Sequence, residues 1–220
     1  MRRAADAVEI LDGPVAAADR AASLADVDRL NAWFGGYALS FRALDRLAAG
    51  GLVVLDLGGG RGDFARRLVR RARRQRRPIR VIVLDREAAP LDPRYPEIRR
   101  VRADAAALPI REGGVDVVTS ALLLHHLDPD AAVTCLAESR AAARVGVVVN
   151  DLLRTRVSLV LVWGATRLLA RHPFSRHDGP LSVRRAYSPR ELAVLAEKAG
   201  IARLAVRRYP LLGRLVAVAT

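Results

Sequence analysis

The fold of this 220-residue chain is decided by one stretch, Val53-Val54-Leu55-Asp56-Leu57-Gly58-Gly59-Gly60-Arg61-Gly62-Asp63-Phe64. It begins as a short apolar run, which is typical of a buried parallel strand. Four glycines follow before a helical pattern begins near Asp63. Because glycines let the backbone turn sharply and approach a ligand closely, the stretch predicts a strand, a ligand-binding turn and a helix.

Strands and helices alternate outward from this turn. Helices are predicted at 63–77 and 130–143. Apolar runs predict strands at 52–55, 80–84, 98–101, 115–119, 145–149, 202–209 and 214–219. This alternation predicts an α/β, Rossmann-like fold with a seven-stranded, mostly parallel sheet and helices on both faces. The last two strands flank Pro210 and predict an antiparallel hairpin at the sheet edge.

Two regions are predicted: an N-terminal helical cap at 1–49 and the main domain at 50–220. In the cap, Ser23 is expected to act as the N-cap of the first helix, and a second helix runs from about Tyr37 to Ala49. Within the main domain, the segment at about 152–187 is predicted to be a lid insertion.

The predicted lid begins with an apolar helix at 152–170 and continues as a polar loop to Ser182. Because the helix follows a strand end, it is expected to line an apolar pocket, with a dimer face or simple core packing as the alternatives. Ser188-Pro189-Arg190-Glu191 then predicts the start of another helix, with Ser188 as the N-cap of a capping box.

Composition sets limits on function. The net charge of +14 invites a nucleic-acid partner, but all but one of the 37 basic residues are arginine, and this coding bias weakens that inference. Cys135 is the only cysteine, which excludes an intramolecular disulfide and a thiolate zinc cluster, and no metal site is expected. The apolar stretch at 157–170 is shorter than the roughly 20 residues of a membrane span, so a cytoplasmic protein is expected.

Acidic residues follow three successive predicted strands. Asp56 ends the first, where its carboxylate can accept a hydrogen bond from an ammonium group. Asp85 ends the second and can accept both hydroxyls of a ribose. Dinucleotide-binding enzymes carry a similar turn and acid, so these two positions do not discriminate. Asp104, after the third strand, does: an acid there can accept the amino group of adenine while the adjacent backbone N–H of Ala105 meets a ring nitrogen.

Together these motifs, at about 52–151, resemble those of class I S-adenosylmethionine (SAM)-dependent methyltransferases. The segment Ser120-Ala121-Leu122-Leu123-Leu124-His125-His126-Leu127 is similar to the small-molecule branch that resembles quinone-biosynthesis methyltransferases. Through 30–36, 149–152 and 176–182, the whole chain resembles methyltransferases that accompany type III polyketide synthases and methylate phenolic or resorcinol products.

This resemblance implies SAM as the cofactor. It implies that Asp56, Gly58 and Gly60 bind the methionine part and that Asp85 and Arg86 flank the ribose. It further implies that Asp104 and Ala105 meet the adenine and that Ser120 and Leu122 lie beside the sulfonium.

Methyl transfer to a hydroxyl needs alignment and a base, and a phenol with a pKa near ~10 needs little help. Candidate catalytic residues are His125 and His126, which follow the fourth strand at its ligand-binding end, and His177, which lies beside Asp178 in the predicted loop. The candidate acceptor-binding residues are Trp33, Tyr37, His126, Asp151, Trp163 and His177.

The leading hypothesis is an O-methyltransferase acting on a small, apolar aromatic molecule of the phenol, resorcinol or polyketide type. C-methyl transfer with the same residues stays open, as do a SAM-binding protein without transferase activity and a homodimer. An RNA methyltransferase would use the arginines at 66–77 to bind phosphates. It is disfavoured because Ser120-Ala121-Leu122-Leu123 stands where amine-directed RNA enzymes carry an Asn/Asp-Pro-Pro-aromatic motif. A nucleic-acid partner is therefore not expected.

Overall fold

One seven-stranded sheet organises the computed structural model, which describes residues 1–48, 50–87, 90 and 92–220. Its strands are β1 Leu52–Leu57, β2 Ile79–Asp85, β3 Ile98–Arg102, β4 Val115–Ala121, β5 Ala143–Leu152, β6 Leu204–Tyr209 and β7 Arg214–Ala219. Their order is β3-β2-β1-β4-β5-β7-β6, with β7 antiparallel to both neighbours and the other pairs parallel. The predicted α/β fold class and C-terminal edge hairpin are confirmed.

Helices cover both faces of this sheet. They are α1 Ala17–Trp33, α2 Gly36–Leu47, α3 Asp63–Arg74, α4 Pro129–Ala142, α5 Arg156–Leu169, α6 Pro173–Arg185 and α7 Pro189–Lys198. Because successive strand residues point to opposite faces, Val54 of β1 joins the core under α2 and α3, whereas Leu55 and Leu57 join the core under α4 and α7. None of the helices in the described ranges is long and apolar enough to cross a membrane.

The N-terminal helices differ in detail from their prediction. α1 begins at Ala17, so the prediction of Ser23 as its N-cap is wrong. The alanine-rich first turns are exposed and carry no apolar pattern, whereas Ser23 is buried inside the helix with its hydroxyl 2.9 Å from that of Ser175. Within the predicted cap, α2 packs directly on the sheet through Leu39 and Leu44. α1 instead contacts α2, α5 and α6. The predicted last residue of the second helix, Ala49, lies outside the described residues.

The lid region also differs. β5 extends to Leu152, so the apolar helix begins at Arg156 behind Thr155, whose side chain accepts the Ser158 N–H. The predicted polar loop to Ser182 is wrong, because residues 173–185 form α6. Its Gly179-Pro180 pair is typical of a turn, but here tertiary packing overrides that local preference. By contrast, the predicted capping box at Ser188 and Glu191 is confirmed.

Close packing of α5 against α6 explains the glycine at position 179 of α6. A Cβ placed on Gly179 would lie 2.6 Å from Thr166 Cγ2 of α5, which is shorter than any ordinary carbon–carbon contact. At Gly164 of α5, a Cβ would meet no described atom within 4 Å. The two helical glycines therefore offer a matched pair.

Gly179→Ala is expected to lower the free energy of unfolding by about 1–2 kcal/mol, because the added methyl forces the two helices apart. Gly164→Ala is expected to raise it by about 0.5–1 kcal/mol, because alanine loses less entropy than glycine in an open helix position. Urea unfolding of both variants measures the difference. Equal stabilisation by the two substitutions would contradict the packing.

Candidate cofactor and acceptor site

A cavity of about 620 Å³ opens at the carboxyl ends of β1, β2, β4 and β5. This is the edge at which parallel sheets with helical crossovers bind ligands. The predicted glycine turn and acids line one side of the cavity, whereas α1, α5, α6 and the N-terminal segment line the other.

The turn after β1 is shaped by its glycines. A Cβ on Gly59 would lie 2.6 Å from Asp56 Oδ2 and 2.7 Å from Val83 Cγ1, so no larger residue fits without displacing the carboxylate. Gly60 has a φ of 49°, and a Cβ there would meet only Leu24 Cδ1 within 4 Å among the described atoms. The turn therefore presents open backbone to the cavity.

Asp56 is the most perturbed group of the turn. Its side chain is buried, and Oδ2 finds no hydrogen-bond partner in the described part of the chain. Burial, reinforced by the charge of Asp85, raises the pKa of Asp56 to about 8, against the opposing effect of Arg100. A buried, unsatisfied carboxylate facing a cavity is a fitting partner for a ligand ammonium.

The acids that follow β2 and β3 line the same cavity wall. Asp85 Oδ2 accepts the Gly60 N–H at 2.7 Å, which ties the second strand end to the turn. Asp104 accepts the Ala106 N–H at 2.8 Å and pairs with the exposed Arg86 guanidinium at 2.7 Å. Ala105 is buried and lines the cavity. The structure thus brings the predicted ribose and adenine positions together in the predicted order.

The end of β4 carries local backbone strain. Leu122 has a φ of 58°, a left-handed conformation that is unusual for leucine, and its N–H donates to the Asn150 carbonyl at 2.9 Å. Leu122 lines the cavity, whereas Ser120 is buried within the strand outside the described lining. Such outliers concentrate at functional sites, and this one lies between the cofactor side and the two histidines.

Two imidazoles and three carboxylates meet beyond Leu122. His125 Nδ1 lies 2.7 Å from Asp151 Oδ1, and His126 Nδ1 lies 2.7 Å from Asp12 Oδ1. The Nε2 atoms face Glu9, at 3.7 Å for His125 and 4.0 Å for His126. Burial raises the pKa of the Glu9 carboxyl. We call these five side chains the histidine–carboxylate cluster.

A buried guanidinium lies elsewhere in the cavity wall. Arg214, the first residue of β7, donates to Asn31 Oδ1 of α1, while its Nη1 has no hydrogen-bond partner among the described residues. Burial lowers the pKa of Arg214 to about 10. Sequence reasoning missed Arg214, Asn31, Glu9 and Asp12, because they are far from the glycine turn in sequence and belong to no motif.

Three predicted catalytic or acceptor-binding side chains are turned away from the cavity. His177 lies on α6 with 57% of its side chain exposed, and it contacts only its neighbour Asp178 among the charged groups of the described chain. Trp33 and Trp163 are 62% and 53% exposed. The predictions of His177 in a closing loop and of the two tryptophans in the pocket wall are therefore corrected: their helices turn these side chains outward.

The remaining predicted acceptor residues are better placed. Tyr37 lines the cavity and donates its hydroxyl to Asp28 Oδ1 at 2.8 Å. His126 lines it directly, and Asp151 reaches it through His125. From the predicted apolar helix, Leu161 and Val162 face the cavity.

Comparison with known proteins identifies the domain. Residues 54–146, which include the glycine turn, Asp85, Asp104 and the histidine pair, match the family model of the methyltransferase domain. This part of the chain is therefore similar to a methyltransferase domain, as predicted. The predicted fold is confirmed by solved structures. A search of curated proteins found no match.

Solved structures of methyltransferases share the fold of this chain. A SAM-dependent methyltransferase from Aquifex aeolicus aligns with a TM-score of 0.56 and 17% identity, over 81% of this chain and 87% of the other. The Burkholderia thailandensis 1,6-didemethyltoxoflavin-N1-methyltransferase, solved with its substrate and S-adenosylhomocysteine, aligns with a TM-score of 0.60 and 21% identity, over 94% and 92%. The citrinin polyketide synthase CMeT domain aligns with a TM-score of 0.57 and 10% identity, over 77% and 46%.

The raised pKa of Asp56 gives the stability of the protein a testable pH dependence. Because the native pKa lies above the ordinary value of 3.8, the native state holds the proton more tightly, and stability is lost as the pH rises toward about 8. Asp56→Asn is therefore expected to raise the melting temperature of the ligand-free protein at pH 9 and to change it little at pH 4.

Asp116→Asn is the matched control. Asp116 lies on the neighbouring strand, where its carboxylate accepts the Val53 N–H at 2.8 Å and pairs with Arg144. Its pKa is lowered by these partners despite partial burial, so its substitution is expected to destabilise at neutral and alkaline pH. Thermal unfolding from pH 4 to 9 distinguishes the opposite changes in stability expected for the two variants. Destabilisation by Asp56→Asn at pH 9 would contradict a raised pKa of Asp56.

Proposed function

We propose that this methyltransferase transfers the methyl group of SAM to a hydroxyl of a small, apolar aromatic acceptor. The observation that carries the proposal is one continuous cavity with the orphaned Asp56 carboxylate on one side and paired imidazoles on the other. SAM supplies a methyl group already activated on a positively charged sulfur. The chain therefore has to align the two reactants, exclude water and engage the acceptor oxygen.

On the cofactor side, each residue has a proposed role. Asp56 receives the ammonium of the methionine part, the open backbone at Gly60 allows close approach, and Gly58 makes room for Leu123 beside it. Asp85 receives the ribose hydroxyls, with Arg86 beside them. Asp104 and the Ala105 N–H meet the adenine edge. Leu122 shapes the wall next to the sulfonium, and Ser120 supports this wall from within β4.

On the acceptor side, the walls are apolar. α1 contributes Leu24, Val27 and Leu30, and α5 contributes Leu161 and Val162. An aromatic ring buried among these side chains gains its binding free energy from lost apolar surface. His125 and His126 are the polar groups that engage the acceptor oxygen. The apolar side chains of α1 and α5 favour a small aromatic ring, and the polar part of the lining, which includes Arg214, Asn31 and the histidine–carboxylate cluster, receives its hydroxyl and other polar substituents.

The arginine-rich helix supports a small acceptor over RNA. Arg67 contacts both carboxylate oxygens of Asp28 at 2.9 Å, and Arg73 pairs with Glu97 at 2.7 Å. Arg71 pairs with Asp45 and lies over the Phe41 ring. These guanidiniums already bind partners within the chain, which reduces what the helix can offer to phosphates.

A ring N–H is the second candidate acceptor. The Burkholderia thailandensis structure, which aligns over 94% of this chain, is named for methyl transfer to a ring nitrogen. The same apolar walls and imidazoles would accept such a heteroaromatic ring.

Transfer from labelled SAM to a panel of phenols, resorcinols, quinols, N-heterocycles and RNA tests the proposal. Methylation of a hydroxyl on an apolar aromatic ring is expected. Methylation of ring nitrogens alone would replace the first candidate with the second. Transfer to RNA with none to any small molecule would overturn both.

His126→Asn is expected to lower kcat by about 100-fold or more with an unchanged dissociation constant for S-adenosylhomocysteine, because it removes a group that engages the acceptor rather than the cofactor. His177→Asn is the matched control, since this imidazole is exposed outside the described cavity lining. Steady-state kinetics and calorimetry provide the two readouts. An equal loss in both variants, or no loss in His126→Asn, would contradict the placement of the acceptor.

A further inference from the structure

Glu9, His125 and His126 bring one carboxylate and two imidazoles to a single point in the cavity wall. One ligand-capable atom from each lies within 4.8 Å of the others. Glu9 and His125 are buried, at 4% and 2% exposure, while His126 is partly open to the cavity. The chain places Glu9 there from a segment more than a hundred residues distant, so chain proximity does not explain the convergence.

Both imidazoles are already held through the opposite ring nitrogen. Asp151 holds Nδ1 of His125 and also accepts its backbone N–H at 3.2 Å, while Asp12 holds Nδ1 of His126. A carboxylate on Nδ1 fixes the ring orientation and places the proton on that nitrogen, which leaves the Nε2 lone pair free. This carboxylate–histidine arrangement is the one that supports histidine ligands at metal centres.

The free Nε2 atoms face the Glu9 oxygens without a hydrogen bond. The separations of 3.7 and 4.0 Å exceed hydrogen-bond length, so Glu9 satisfies neither nitrogen directly. Ligands around one tetrahedral ion lie about 3.3–3.5 Å apart when the metal bonds are about 2.0–2.1 Å. The three atoms lie within 4.8 Å of one another, so closing them around a cation takes a contraction of up to about 1.4 Å, which small side-chain rotations would supply.

The charge of the surroundings also fits a cation. Glu9, Asp12 and Asp151 carry three negative charges, and the Arg185 guanidinium that contacts Glu9 and Asp12 carries one positive charge. With neutral imidazoles, the contacting groups sum to minus two. Burial makes such an excess costly, and one divalent cation would balance it.

We propose that Glu9, His125 and His126 bind a divalent transition-metal ion that receives the acceptor hydroxyl at an open coordination position. Two nitrogens and one carboxylate suit Zn²⁺, Co²⁺ or Fe²⁺ better than Mg²⁺, which prefers oxygen ligands. The inference rests on the proposed function for its role in catalysis, although ion binding itself does not depend on it.

The ion would act on the acceptor oxygen. Coordination lowers the pKa of the hydroxyl, whose proton leaves to water. The oxygen lone pair then forms the O–CH₃ bond while the C–S bond breaks and its electron pair returns to sulfur. The products are the methyl ether and neutral S-adenosylhomocysteine, so no oxidant or further reactant is needed.

Cobalt binding tests the site without donor or acceptor present. Protein treated with a chelator and then dialysed is titrated with Co²⁺, followed by visible absorption and by metal analysis. One equivalent with ligand-field bands of a nitrogen- and oxygen-bound ion, displaced by Zn²⁺, is expected. Glu9→Gln and His126→Asn are expected to lose this binding, and His177→Asn to keep it.

Asp12→Asn separates orientation from ligation. Because Asp12 only orients His126, its substitution is expected to weaken Co²⁺ binding by about 10–100-fold while the ligand-field bands persist. Unchanged affinity for S-adenosylhomocysteine shows that each variant is folded. Failure of the wild type to bind Co²⁺ and Zn²⁺, or equal binding by Glu9→Gln, would overturn the metal site and leave the imidazoles as metal-free groups. If the protein still methylates a phenol after either of these results, the proposed function stands without the metal site.

Discussion

The buried carboxylate of Asp56 is the interaction on which the rest of the cofactor side depends. It lies next to the last residue of β1, an inner strand of the sheet, and one of its oxygens has no partner in the described chain. Position 59 is a glycine because any side chain there would collide with that oxygen. Burial and the charge of Asp85 raise the pKa of Asp56 while Arg100 opposes them, so ionisation of Asp56 is costly in the ligand-free protein. A positively charged ligand relieves that cost.

The acceptor side is assembled differently, by segments that meet only in the folded chain. The Asp178 carboxylate of α6 accepts the N–H groups of Ile10 and Leu11 at 2.9 and 3.2 Å, which holds the N-terminal segment over the cavity. Arg3 reinforces this through the Leu127 carbonyl and the Tyr187 ring. This anchoring is what delivers Glu9 and Asp12 to the histidine pair. The histidine–carboxylate cluster therefore depends on tertiary structure, whereas the glycine turn depends on local sequence.

That difference explains what the sequence could predict. The glycine turn, the strand-end acids and the Ser188 capping box are local patterns, and their elements were predicted with only shifts of boundary. The helix α6 was missed because Gly179-Pro180 favours a turn locally, whereas its close packing against Thr166 is visible only in three dimensions. Glu9 and Arg214 carry no local signal. Trp163 was misplaced because an apolar helix does not reveal which of its apolar faces meets the cavity.

The most direct test of the central claim is the proton balance of S-adenosylhomocysteine binding, measured by calorimetry at pH 7 in buffers of contrasting ionisation enthalpy. Because the pKa of Asp56 is raised to about 8 in the ligand-free protein, the carboxyl is largely protonated at this pH. An ammonium partner should drive the proton off, so release of a proton to the buffer on binding is expected. Tight binding without proton release, or no binding at all, would contradict the role of Asp56.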